Sequence, residues 1–178
     1  MRGERVLFEG VGLAAAAGEA VVLRGANGAG KTTLLRVLAG LTEAGAGSVS
    51  QRADFHWMGH RDGLKPHESP AEHLALWATA WGSDDGQVSK ILERIGLTRP
   101  RDVAGRYLSA GQRRRVVVGR LLLETRALWL LDEPFSALDA GGRGLMLGLI
   151  AAHRAGGGAV VAAIHGDAGF EADREVML

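Results

Sequence analysis

The chain has no cysteine, only four prolines and a single tyrosine in 178 residues. The missing thiols exclude disulfides and thiolate metal sites. No stretch approaches the roughly 18 uninterrupted apolar residues of a spanning helix, and the first residues carry no secretory pattern. An excess of one charge is missing too: Lys and Arg number 21 against 20 Asp and Glu, a formal net charge of +1. Dedicated nucleic-acid binders concentrate basic residues on one face, so nucleic acid is not an expected partner. The one basic cluster, Arg113-Arg114-Arg115, opens a helix-like pattern and reads as a solvated or interface face. Glycine is plentiful at 27 residues, and the apolar share is 47%. That composition and length suit one α/β domain with a core of its own.

The richest use of glycine is Gly25-Ala26-Asn27-Gly28-Ala29-Gly30-Lys31-Thr32, which fits G-x-x-x-x-G-K-[ST]. It follows a β pattern, Glu19 to Arg24, and opens a helical pattern running from Thr32 and Thr33 to Ala39. Glycines let successive N–H groups turn toward one anion, and the helix N-terminus adds partial positive charge. Lys31 is spaced to reach outer phosphates, and the Thr32 hydroxyl to sit on Mg²⁺. A second constellation ends the apolar run Leu128-Trp129-Leu130-Leu131, which is too continuous for a half-exposed strand and reads as the centre of a parallel sheet. Asp132 and Glu133 follow it, where strand ends deliver side chains to a crevice. There Asp132 would hold hydrated Mg²⁺ through water, and Glu133 would polarise the attacking water.

Elsewhere the patterns alternate. An opening β stretch, Arg5-Val6-Leu7-Phe8, precedes a turn at Gly18, and short β patterns recur at Gly47–Ser50 and Asp54–Met58. Ser69-Pro70-Ala71-Glu72 is a capping box with proline at the first helical position, predicting a helix through His73, Leu74, Leu76 and Trp77. A second helix is predicted over Asp85–Ile95. Residues from about 61 to 118 therefore read as an inserted helical subdomain. Strand and helix alternation returns at Ala127 and runs through Gly142–His153 to a last strand ending at Ile164.

Leu108-Ser109-Ala110-Gly111-Gln112 is a further capping box, Ser109 at the N-cap and Gln112 three residues on. It also resembles the L-S-G-G-Q signature of ABC ATPases, with Ala110 at the first glycine. Ser136-Ala137-Leu138-Asp139 resembles the same family's D-loop, and His165, after Ala159–Ile164, its switch histidine. Nearly the whole chain shares this order of motifs. The resemblance implies an α/β fold: an ABC-type P-loop ATPase with a central mostly parallel sheet, an antiparallel β portion and the helical insertion. It implies ATP and Mg²⁺ as cofactors and a second copy of the chain closing a sandwich dimer. In that dimer Ser109, Ala110, Gly111 and Gln112 act on the partner's ATP, Asp139 lines the interface and His165 contacts the γ-phosphate. Separate membrane-spanning subunits are implied as further partners.

Two positions depart from the family pattern. The Mg²⁺-binding glutamine after the strand that leads into the helical subdomain is matched by His60, which can accept a hydrogen bond from water but is a poor Mg²⁺ ligand; a plain polar loop residue is the alternative. The adenine-stacking aromatic aligns near Arg2, and Phe8 sits within an apolar run that favours core packing, so no residue is assigned to adenine.

The string Gly59-His60-Arg61-Asp62-Gly63-Leu64-Lys65, followed by Ser69-Pro70-Ala71-Glu72-His73-Leu74, resembles the ATP-binding subunit of the bacterial haem exporter used in cytochrome c maturation. The shortness of the chain points the same way. This resemblance implies a peripheral location on the cytoplasmic face of the inner membrane. The ATPase of another lipid, peptide or small-molecule exporter is the alternative, ahead of a soluble ABC ATPase without membrane partners. His56, His60, His67 and His73 are spaced too irregularly for a ligand set, so no direct haem site is expected.

Overall fold

The computed structural model describes residues 6–50, 53–84 and 86–178. Arg2, the Arg5 end of the first β pattern and the Asp85 start of the second predicted helix lie outside them. The chain divides into two compact units. One comprises the segments up to His60, Arg126–Pro134 and Leu149–Leu178; the other comprises Arg61–Thr125 and Phe135–Gly148.

The first unit is built on a five-stranded sheet: β1 (Ala20–Arg24), β2 (Phe55–Met58), β3 (Leu128–Asp132), β4 (Ala159–Ala163) and β5 (Arg174–Met177). Their spatial order is β2-β3-β4-β1-β5, and every pairing is parallel. Interior strands are apolar along their length because both faces are covered. Val21, Val22, Leu23, Leu130, Leu131 and Val160 are all at 0% exposure. The edge strand β2 alternates instead, burying His56 and Met58 and leaving Phe55 and Trp57 half-buried. Helix α1 (Lys31–Leu38) lays Leu34 and Leu35 into the core formed with Val21, Leu23, Leu130 and Val161.

Behind β3, the His153 ring stacks on Trp129 with centroids 4.0 Å apart and planes 6° off parallel. A Cβ at Gly158 would lie 2.1 Å from that ring, so glycine is the residue that lets it stack. Burial holds the His153 ring below its ordinary pKa, against the hydrogen bond it shares with the Ala159 carbonyl.

Two expected strands are not formed. Val6–Phe8 and Gly47–Ser50 lack regular structure, and among the described residues the sheet has no antiparallel partner. Gly47-Ser48-Val49-Ser50 has one apolar side chain to bury, and Val49 is 45% exposed, so a ladder there has little core to rest on. Conversely, β5 is a strand that the sequence did not announce. Its Arg, Glu and Met side chains are exposed, which hides the alternation of a buried strand.

The second unit is helical: α2 (Pro70–Trp81), α3 (Gln87–Arg94) and α4 (Ala110–Arg120). Both predicted capping boxes are closed in both directions. The Ser69 hydroxyl accepts from Glu72 N while Glu72 accepts from Ser69 N, and Ser109 and Gln112 do the same. Leu74, Ala78, Val88, Ile91, Leu92, Ile95 and Val116 form the core. Gly119 brings α4 close to it, since a Cβ there would meet Ile95 Cδ1 at 3.0 Å.

The basic cluster, read as a solvated or interface face, is not simply solvated. Arg114 is buried, Arg113 pairs with Asp62 at 3.1 Å, and Arg115 pairs with Asp139 at 2.6 Å. Three guanidiniums in successive helical positions face three directions, and distant carboxylates claim those of Arg113 and Arg115. Two of the four histidines weighed as a ligand set are buried on the elements predicted for them: His56 in β2 and His73 in α2, where His73 Nδ1 lies 2.8 Å from Glu68 Oε2. Helix α5 (Ala140–Ala155) begins after Asp139, whose carboxylate accepts from Gly142 N at 2.8 Å.

Candidate active site

In a parallel sheet the carboxyl ends of all strands share one edge, and the loops leaving that edge gather there. From β1 leaves the loop to α1, from β2 Gly59-His60, from β3 Asp132-Glu133 and from β4 Ile164-His165.

The β1–α1 loop needs glycine for two distinct reasons. Gly25, Gly28 and Gly30 have φ of 142°, 83° and 111°, which L side chains rarely adopt. In addition, a Cβ at Gly25 would lie 2.6 Å from the Leu178 carbonyl oxygen, and one at Gly30 would lie 2.7 Å from Phe8 Cδ1. No side chain caps α1, so its first N–H groups are offered to an anion. Lys31 is 7% exposed, and its ammonium donates to the carbonyls of Gly25 at 2.6 Å and Ala26 at 3.0 Å. Ala29 N closes the turn onto Ala26 O.

Thr32 Oγ1 lies 3.1 and 3.0 Å from the two oxygens of Asp132, which is 2% exposed at the end of β3. A hydroxyl and a carboxylate converging in this way supply hard oxygen ligands. They fit Mg²⁺, which takes few protein ligands and completes its shell with water and phosphate oxygens.

Glu133, next along the chain, has φ 48°, an uncommon left-handed conformation for a residue with a side chain, and its N–H donates to Ala163 O at 2.9 Å. Its Oε2 lies 3.2 Å from His60 Nδ1. That contact was not legible in the sequence, where the two residues are 73 positions apart. It places the exposed His60 ring beside Glu133.

A cavity of about 820 Å³ joins these groups: Asn27, Gly28, Gly30, Lys31, Thr32, Thr33, His60, Asp132 and Glu133 line it. Its size suits a nucleotide. Gly25, Ala26 and Ala29 are not on its wall; the first two hold Lys31. Three further residues line it that the motifs did not name: Leu7, Arg36 and Thr42. Arg36 stands one helical turn after Thr32, a spacing that puts it on the same face, and Arg36 Nε donates to Thr42 Oγ1 at 3.3 Å. Leu7, within an apolar stretch, carried no signal. His165 is exposed just beyond β4 and does not line this cavity.

In the helical unit the signature residues Ser109, Gly111 and Gln112 line a separate cavity of about 450 Å³ with Gly96, Leu97, Arg115, Ala137 and Asp139. Ala110 is exposed in the first helical turn. Gly111 has no such freedom, since a Cβ would lie 2.9 Å from Ala137 O. The Gly142 N–H and the Arg115 guanidinium hold the Asp139 carboxyl below its ordinary pKa.

Known proteins resemble this chain along its length. The family model described as ABC transporter matches residues 8–136. A cytochrome c biogenesis ATP-binding export protein, CcmA, from Hyphomonas neptunium is 58% identical over 178 residues, covering 100% of this chain and 92% of its own length. A protein of the same name from Rhodopseudomonas palustris is 44% identical over 187 residues, with 100% and 93% covered. Among solved structures, an ATP-binding subunit of an ABC transporter superposes with a TM-score of 0.82 at 26% identity, covering 93% of this chain and 77% of that one. With its phosphate loop, Asp132-Glu133 pair and signature in the family's order, the chain belongs to the ABC transporter family, as one of its ATP-hydrolysing, ATP-binding subunits.

Proposed function

We propose that this subunit drives the exporter of the haem-delivery pathway in c-type cytochrome biogenesis, as a peripheral protein on the cytoplasmic face of the bacterial inner membrane. Two copies would enclose ATP between the phosphate cavity of one and the signature of the other, and separate membrane-spanning subunits would carry the conformational change. Residues of about 61–118 are the inserted subdomain of this reading. Identity of 58% across this chain and 92% of the Hyphomonas neptunium export protein supports the pathway. The observation that carries the chemistry is the convergence of Lys31, Thr32, Asp132, Glu133 and His60 on one cavity.

The triphosphate displaces the Gly25 and Ala26 carbonyls from Lys31 and takes the ammonium and the free N–H groups of α1 for its outer oxygens. Thr32 directly, and Asp132 through water, would hold Mg²⁺, which supplies charge neutralisation at the outer phosphates. Glu133 accepts a proton as water forms its bond to the γ-phosphorus, and the bond from that phosphorus to the β,γ-bridging oxygen breaks, leaving ADP and phosphate. His60, in contact with Glu133, orients that water. His165 contacts the γ-phosphate. From the second copy, Ser109, Ala110, Gly111 and Gln112 complete the phosphate's surroundings, with Asp139 alongside.

Replacing the only copy in a host by Glu133→Gln tests the pathway. Hydrolysis falls by about 10² to 10⁴, the usual worth of a general base, while ATP stays bound. Covalently attached haem, stained in denatured membrane and periplasmic fractions, should disappear as b-type cytochromes persist. Parental staining in a host expressing only this variant would reject haem delivery and leave another exporter substrate.

A further inference from the structure

The peptide that joins Leu108 to Ser109 is held at both of its ends. Its N–H donates to Gln112 Oε1 at 2.9 Å, the return half of the capping box, and its carbonyl accepts from Arg113 Nη1 at 2.6 Å. A peptide unit is planar, so fixing both groups fixes the plane from which the Ser109 side chain departs. The second bond serves no need of the helix. The ladder of α4 starts at the Ser109 carbonyl, which accepts from Arg113 N at 3.0 Å, and the Leu108 carbonyl lies outside it.

The guanidinium is itself aimed. Arg113 Nε donates to Asp62 Oδ2 at 3.1 Å, while Asp62 Oδ1 accepts from Leu64 N at 3.2 Å, so both carboxylate oxygens are engaged. Beyond Asp62 the same stretch, up to Glu68, grips the approach to the signature: Glu68 O accepts from Gly105 N and Pro66 O from Arg106 N, each at 2.9 Å. Gly105 is moulded to it, since a Cβ there would lie 2.8 Å from Lys65 O. The ion pair, by contrast, adds little to folding. Its side chains are 32% and 31% exposed, a setting in which water screens the attraction.

We propose that Arg113 is a positioning residue of the signature: it fixes the Leu108–Ser109 peptide, with Asp62 aiming its guanidinium, so that Ser109 and the first N–H groups of α4 meet the partner's ATP at a set angle. The proposal rests on the reading of Ser109–Gln112 as groups that act on that ATP. A nucleotide arriving there draws on Ser109 and Gln112, the two members of the capping box, and so loosens the N–H side of the peptide. The carbonyl side stays held, because Arg113 belongs to neither the cap nor the phosphate contacts. A fork with separate Nε and Nη1 donors can serve an acceptor on each side, which a lysine ammonium on a flexible stem does not reproduce.

Steady-state ATP turnover of the full chain, beside the calorimetric ATP affinity of the single chain, tests the clamp. Arg113→Gln should lower kcat by about tenfold or more and leave ATP affinity within about twofold, since the signature of a chain takes no part in holding that chain's own nucleotide. Arg113→Lys should recover part of the loss. Asp62→Asn should lower kcat by about three- to fivefold, and the double variant Asp62→Asn/Arg113→Gln should be no slower than Arg113→Gln, because Asp62 acts only through the guanidinium. Parental kcat in Arg113→Gln, losses that multiply in the double variant, or a fall in single-chain affinity overturns the proposal. So does failure of Arg113→Gln to fold, which would make the bond a structural one. Gly111→Ala in the same assay isolates the premise: if it too turns over at the parental rate, the signature reading fails, whereas a slow Gly111→Ala beside a parental Arg113→Gln removes the clamp alone.

Discussion

Helices α1 and α4 both begin at glycine-bearing motifs, but their first donors and nearby cations are engaged differently. At α1 no side chain caps the helix, Lys31 is buried at its first position, and the Asp132 carboxylate meets the Thr32 hydroxyl. At α4 the N-terminus is already spent on itself: Ser109 accepts from Gln112 N, and Gln112 Oε1 from Ser109 N, at 3.1 and 2.9 Å. The neighbouring cation, Arg115, is paired with Asp139. A helix start with uncapped donors and a cation held only by backbone carbonyls can turn both to a polyphosphate. One whose donors and charge are internally satisfied can only add to a site whose binding energy comes from elsewhere.

The sharpest way to break this contrast is to remove each loop's central feature. Lys31→Ala should weaken MgATP binding to the single chain by about a hundredfold or more, because it deletes the charge-assisted bonds to the outer phosphates. Calorimetry reads this directly, and unchanged affinity in a folded variant would dissolve the distinction. Gly111→Ala should do the reverse. The added methyl, 2.9 Å from Ala137 O, displaces the signature from the D-loop segment, so turnover should fall by about tenfold or more while ATP affinity of the isolated chain is preserved. Loss of single-chain binding in that variant would show that α4 contributes to the site of its own chain.

Smaller effects sharpen the picture. His60→Gln should keep steady-state ATP turnover within about tenfold of the parent, since an amide oxygen can accept from the same water. A loss of several orders of magnitude would make the ring beside Glu133 indispensable, and parental turnover in His60→Ala would reduce it to a bystander.

The smallest expected effect lies in the core of the helical unit. Burial holds the His73 ring below its ordinary value near 6.5, although the Glu68 carboxylate pulls it upward. On Glu68, burial raises the pKa, but the hydrogen bonds from His73 and Lys65 N win and hold the carboxyl below its ordinary value. With the ring neutral and the carboxylate charged, Nδ1–H donates to Glu68. The unfolded ring takes up a proton near pH 6.5 that the folded ring refuses, so stability from this site is complete above that value and declines as pH falls below it. Glu68 adds a loss of the same sign at lower pH. Thermal midpoints of His73→Gln should therefore fall less steeply between about pH 7 and 5.5 than those of the parent, and identical slopes would refute the assignment.

Legibility in the sequence followed the range of the interactions. The phosphate loop, both capping boxes and the buried β3 run are local patterns, and each took the form its residues dictated. Contacts set by tertiary placement were hidden. His60 meets Glu133, Arg113 meets Asp62, and Arg36 reaches the phosphate cavity, yet none of these pairings leaves a trace in spacing beyond one helical turn. Edges were hidden too. The exposed residues of β5 mimic a loop, while Val6–Phe8 imitates a strand and instead places Leu7 on the nucleotide cavity and Phe8 beneath Gly30.

The clasp of Lys31 on the Gly25 and Ala26 carbonyls bears on which anions the loop admits. Any anion entering must first compete with two short hydrogen bonds that the lysine already makes, and a lone phosphate or sulfate offers little in return. A triphosphate would also engage the α1 N–H groups and the Mg²⁺ that Thr32 and Asp132 would hold, recovering that loss several times over. The loop thus acts as a threshold detector. Amid abundant inorganic phosphate it keeps its shape, its charge internally answered, and it yields the lysine only to a chain of linked phosphates.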